Sequence, residues 1–167
     1  MEPGEALGTA AQLAVALAGF AGVVVVFRTG SVHEWSAIDK LRLRLMLGNS
    51  VIPLAFCFLG MLLLTVNPPL LGIWRWTSLC AFVVLVFFAA LTGPAGRKVP
   101  RDQFAFDRTT RLTFYSLAVL GWLLCFLQLY NVIILHAFWP FFAVIIFQLM
   151  AGVIQFVRMI LLPHQKS

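Results

Sequence analysis

Apolar length is the feature that most constrains what this chain can become. Its sequence holds five long, mostly apolar stretches, at 6–27, 38–66, 71–91, 112–135 and 140–162. An α-helix needs about 20 apolar residues to cross a hydrocarbon core of about 30 Å. In lipid every backbone N–H and C=O must be satisfied within the protein, which makes each stretch a helix. Composition agrees: 62% of the residues are hydrophobic, 11% are charged and the mean hydropathy is +0.98, too little polar surface to coat a soluble globule. The expected fold is all-α, a polytopic transmembrane bundle of five spans. Residues 1–167 are expected to form a single transmembrane domain, with no length left over for a second. Glu2 and Glu5 precede the first stretch, where a signal peptide would carry cations, and Phe27-Arg28 follows it without a clear cleavage motif. The first stretch therefore reads as a membrane span rather than a removable leader.

Proline and glycine set the boundaries. Asn67-Pro68-Pro69 is expected to end the second helix, Thr92-Gly93-Pro94 the third and Pro163 the fifth. The least obvious boundary lies in Asn131 to Trp139, which is mostly apolar. Length decides it. One helix over 112–162 would be about 75 Å long at about 1.5 Å per residue, more than twice the hydrocarbon core. The chain must turn, and Pro140 suits the first turn of the next helix.

Charge tests the count independently, because Lys and Arg concentrate in cytoplasmic loops. Of the twelve basic residues, all except Arg75 fall in segments that five spans place on one side. They lie between Arg28 and Arg44, between Gly93 and Arg111, and at Arg158 and Lys166. The expected topology has the N-terminus outside and the C-terminus in the cytoplasm. This bias also accounts for the net charge of +6, so nucleic acid is not an expected partner. Arg75, between Trp74 and Trp76, is expected to anchor the far interface, and Trp35 the near one.

Within the spans, small residues recur at every fourth position of the first helix, at Ala6, Ala10, Ala14, Ala18 and Gly22. Such a row lets a second backbone approach closely, so Ala10, Ala14, Ala18 and Gly22 are candidate packing residues. In the second helix Pro53 cannot donate to the Asn49 carbonyl, beside the polar side chains of Asn49 and Ser50. A kink is expected there. Together with Gln128, Gln148 and Gln155 these residues are candidates for a hinge or a polar path. Ser36-Ala37-Ile38-Asp39 has the form of a capping box with Asp in place of Glu, and Ala37-Ile38-Asp39-Lys40 is echoed by Ala105-Phe106-Asp107-Arg108.

Ala18-Gly19-Phe20-Ala21-Gly22, Trp35 and Asp39-Lys40-Leu41-Arg42-Leu43-Arg44 resemble segments of uncharacterised small multi-pass bacterial inner-membrane proteins. The resemblance covers about the first third of the chain. It implies a bacterial cytoplasmic membrane and no particular activity, cofactor or functional residue.

No Asp, Glu, Lys or His is expected at mid-membrane depth, where proton relays and many ion-coupled carriers place them. His33, His136 and His164 fall on different sides, and Cys57, Cys80 and Cys125 lie singly in apolar segments, so no metal or other cofactor is expected. Asp39, Asp102 and Asp107 are equally well explained as helix caps and local ion pairs. No nucleophile elbow, HExxH or phosphate loop occurs, and enzymatic activity is not expected. Two classes remain: a non-catalytic membrane component that packs with itself or another membrane protein, and a small channel or transporter. Membrane lipid is a partner in either case.

Overall fold

The computed structural model describes residues 2–27, 35–66, 72–97 and 108–161. It contains helices α1 (Pro3–Phe27), α2 (Ala37–Leu64), α3 (Ile73–Arg97), α4 (Arg108–Tyr130) and α5 (Phe138–Leu161). A π-helical turn, Asn131–Leu135, extends α4. All five helices are long and apolar enough to cross a bilayer, as a multi-pass membrane protein requires. The Asn67-Pro68-Pro69 stop, residues 105–107 of the echo, Asp102, His33, Pro163 and His164 lie outside the described residues.

Local chemistry sets most of the ends. At α2 the Ser36 hydroxyl accepts from the Asp39 amide at 3.2 Å and donates to the Asp39 carboxylate at 2.9 Å, so Ser36 caps the helix and the two side chains hold each other. Thr65 closes the same helix by donating its hydroxyl to the Leu62 carbonyl at 2.7 Å. Gly72, at φ +77°, turns the chain into α3 and offers its carbonyl to the amides of Arg75 and Trp76. The far end of α3 departs from the sequence expectation, because the helix runs through Thr92-Gly93-Pro94 to Arg97. Pro94 withholds one hydrogen bond, from the Ala90 carbonyl. Ala90 and Gly93 are both exposed here, and a proline costs least where no packed neighbour resists the bend.

Helix α5 is the hub. Half of its spanning window is buried, against 17% for α3 and 22% for α4, so α3 and α4 are peripheral. Two close approaches fix how α1, α2 and α5 pass one another. A Cβ on Gly60 would meet Leu7 at 2.8 Å and Phe141 at 3.5 Å, and a Cβ on Gly152 would meet Leu17 at 2.5 Å and Asn49 at 3.5 Å. Moving from Gly60 back to Asn49 on α2 therefore corresponds to moving from Phe141 forward to Gly152 on α5. The two helices are antiparallel and in step.

The buried face of α1 is Ala6, Leu7, Ala10, Ala11, Ala14, Leu17 and Ala21. The expected small-residue row follows this face only part of the way: Ala10 and Ala14 are buried, Ala18 is half-buried and Gly22 is exposed. A row spaced by four gains about 40° per step on a helix of about 3.6 residues per turn. After four steps it has drifted nearly to the opposite side, whereas alternate steps of three and four stay on the face. Ala14→Leu is accordingly expected to destabilise the protein by about 1–3 kcal/mol through overpacking. Gly22→Leu, with nothing within 4 Å of the new Cβ, should change stability by under about 0.5 kcal/mol. Thermal unfolding in one detergent checks both, and an equal loss would contradict this face.

Trp35, at the end of the spans, turns its ring into the bundle. It is 7% exposed and packs with Ala21, Leu43, Met46 and Met159, filling the space where the ends of α1 and α5 meet the start of α2. Its ring is large enough to close that junction, and burial there removes apolar area from water.

Candidate functional site

The polar residues of the spans form two separate groups rather than one path. The first shapes the hairpin between α4 and α5. Asn131 donates through Nδ2 to the Ser78 hydroxyl at 2.7 Å and to the Ala137 carbonyl at 3.0 Å, while its Oδ1 accepts from the Ala137 amide at 2.9 Å. One buried carboxamide thus satisfies both backbone groups of a turn residue and ties the turn to α3. Gln128, one turn earlier, donates to the Pro140 carbonyl at 2.7 Å. His136 adopts a left-handed conformation at φ 50°, and its Nε2 lies 3.0 Å from the Val132 carbonyl. The wider π turn and the left-handed residue together reverse the chain, and Pro140 falls in the first turn of α5 as expected.

Aromatic side chains brace this end. Trp74 packs on Phe138 with ring centroids 4.7 Å apart and on Phe141 at 6.2 Å, whereas Arg75 and Trp76 are exposed. Two of the three expected anchor residues at this end therefore face outward, and Trp74 turns inward.

The second group lies on the seam between α2 and α5. Asn49, Ser50, Pro53, Gln148 and Gln155 are all buried. By the register above, Asn49 is level with Gly152, Gln148 with Pro53, and Gln155 with Met46. The Ser50 hydroxyl donates to the Met46 carbonyl at 2.8 Å, a satisfied bond within α2. The amides are not satisfied. Neither Nε2 nor Oε1 of Gln148 has a hydrogen-bond partner at 1% exposure, and Gln155 Oε1 also has none. The absence of a side chain at Gly152 brings α5 to within 3.6 Å of the Asn49 carbonyl, measured from its Cβ position. That carbonyl is the one Pro53 leaves without its usual amide.

The polar stretch of the seam has apolar packing at both ends. Towards the end that carries Arg42, Arg44 and Arg158, here the basic end, it meets Met46, Leu43, Met159 and Trp35, beyond which the charged groups of Asp39 and Arg42 lie 3.4 Å apart. Towards the other, Trp-rich end it meets Phe56, Cys57, Phe141, Val144 and Ile145, which pack with Leu7 and Ala10 in one apolar cluster. Phe56 and Phe141 lie 5.9 Å apart, ring centre to ring centre. From Pro53 to Leu64 the apolar part spans about 16 Å at about 1.5 Å per residue.

No family model, curated protein or solved structure matches this chain. The site's own chemistry therefore carries the functional reading. Among the described residues, no three His, Cys, Asp or Glu side chains gather as a metal ion would require. Gln128 proves to belong to the hairpin, apart from Gln148 and Gln155. Ser78 was not singled out in the sequence, since a serine near the end of an apolar span has no signature until the Asn131 it meets is in place.

Proposed function

We propose that this protein is a non-catalytic membrane component whose bundle packs with further membrane helices, from a second copy or from another protein. The observation that carries the proposal is the blind polar seam. A conducting path needs polar or hydrated lining through the full hydrocarbon thickness, and here the buried amides of the seam stop at Gln148 against an apolar cluster. The peripheral helices support the same reading: no described side chain is buried from Phe82 to Pro94 of α3 or from Leu112 to Leu124 of α4. These faces must be covered by lipid or by other helices. The proposal places the chain in a bacterial cytoplasmic membrane with its basic end in the cytoplasm, the orientation that loop charge favours. An impermeant maleimide should then reach a cysteine at Gly96 and one at Pro68 from opposite sides.

Reconstituted at matched density, the protein should pass neither small ions nor neutral solutes with or without a membrane potential. Crosslinking from Lys40 and Lys98 in native membranes should trap a second copy or one specific membrane protein. Reproducible flux that depends on the folded protein would replace the proposal with the channel reading.

A further inference from the structure

The seam between α2 and α5 combines features that close packing alone does not explain. Gln148 brings two unpaired amide atoms into the bundle interior at 1% exposure. Gln155 adds an unpaired oxygen, and Asn49 adds a carbonyl deprived of its donor by Pro53. All three lie on facing sides of one helix pair, within the span fixed by Gly152. A buried donor and acceptor that bind nothing raise the energy of the closed packing relative to any arrangement that satisfies them. Pro53 supplies a place for such an arrangement to form, because α2 already lacks one hydrogen bond there and bends at reduced cost.

We propose that the α2–α5 seam opens at Pro53 to admit a small uncharged guest that both donates and accepts hydrogen bonds, to be held by Gln148, Asn49 and Gln155. The guest is water or a solute of amide type. It is uncharged because the seam between Met46 and Pro53 carries no ionisable side chain, and beyond it Asp39 and Arg42 are paired with each other. Phe56, Phe141 and Ile145 bound the polar stretch on one side and Met46, Met159 and Trp35 on the other, so a guest enters only when the two helices part at Pro53. Gln148 serves because a carboxamide offers both a donor and an acceptor from one side chain. The inference goes beyond the component reading, which needs the seam to be blind at its Phe56–Phe141 end and survives whether or not the polar stretch opens.

Cysteine labelling tests it in the full-length protein. Ser50→Cys, with the three native cysteines replaced by alanine, is compared with a variant that keeps only Cys57, buried in the apolar half. A small neutral hydrophilic methanethiosulfonate should label position 50 about tenfold or more faster than Cys57, as local opening confined to one half of a helix predicts. Gln148→Met, which keeps the volume and removes the unpaired amide, should suppress that labelling and raise the melting temperature. Labelling slowed by added acetamide assigns a solute guest, and labelling indifferent to acetamide assigns water; both uphold the opening. Equal rates at positions 50 and 57, or labelling unchanged by Gln148→Met, overturns it. Should Ser50→Cys fail to fold, hydrogen exchange of the α2 amides around Pro53 decides the matter: faster exchange in the unmodified protein than in Gln148→Met supports the opening, and equal exchange refutes it.

Discussion

Gly152→Leu is expected to abolish folding of the bundle, with a loss above about 3 kcal/mol, the upper range of overpacking. The new Cβ alone would sit 2.5 Å from a Leu17 methyl and 3.6 Å from the Asn49 backbone carbonyl. The methyl can rotate away, but the carbonyl belongs to a helix that α1 and α5 both grip. The remaining branches of leucine would therefore have to push α2 off α5. Gly152→Ala meets chiefly the mobile Leu17 tip and should cost about 1 kcal/mol, partly offset by the better helix propensity of alanine. Gly19→Leu serves as the control, because nothing lies within 4 Å of its Cβ position. Yield of monodisperse protein and melting temperature in detergent read all three. A Gly152→Leu variant as stable as Gly19→Leu would contradict the close approach of α2 and α5.

Asn131→Leu is expected to produce the second large loss, about 2–4 kcal/mol, because the substitution keeps the volume and removes two hydrogen bonds that close the hairpin and a third that ties it to α3. The half-buried amide and carbonyl of Ala137 would then lose the side chain that now satisfies both. Magnitude separates the two roles of this carboxamide. Its bond to Ser78 joins two side chains across helices, a class worth about 0.6 kcal/mol on average in membranes, so Ser78→Ala should cost under about 1 kcal/mol. If Ser78→Ala and Asn131→Leu proved equally damaging, the link to α3 rather than the closing of the turn would be the main role of Asn131. Melting temperatures of the two single variants and the double variant decide between these outcomes.

The number of spans and their approximate limits were legible in the sequence, because both follow from one-dimensional quantities. Apolar length counts the helices, and the impossibility of an about 75 Å transmembrane helix places a turn between the last two. The Ser36 cap was legible for a similar reason: its partner, Asp39, is three residues away on the same helix. Local rules failed where the surroundings forgave a violation, as at Pro94, whose missing hydrogen bond falls on an exposed stretch of α3.

Which helix faces which was a different kind of question. The polar residues were visible as a set, yet nothing in their spacing separated Gln128 from Gln148, since a carboxamide looks the same whether it closes a hairpin or faces another helix. The small-residue row suggested a face of α1 but not its course, because a spacing of four drifts around the helix while the packed face follows a mean spacing of 3.6. The partners of Trp35 likewise became visible only where three helix ends meet. What the sequence determined by itself was therefore everything set along the chain: solvent, helix count, capping and the need for a reversal. The tertiary structure alone decided the pairing of α2 with α5 in antiparallel step, and with it a seam that joins Asn49, Gln148 and Gln155 and ends at Phe56 and Phe141. Those residues are far apart in the sequence, and whether a buried amide is satisfied depends on the side chain across the interface.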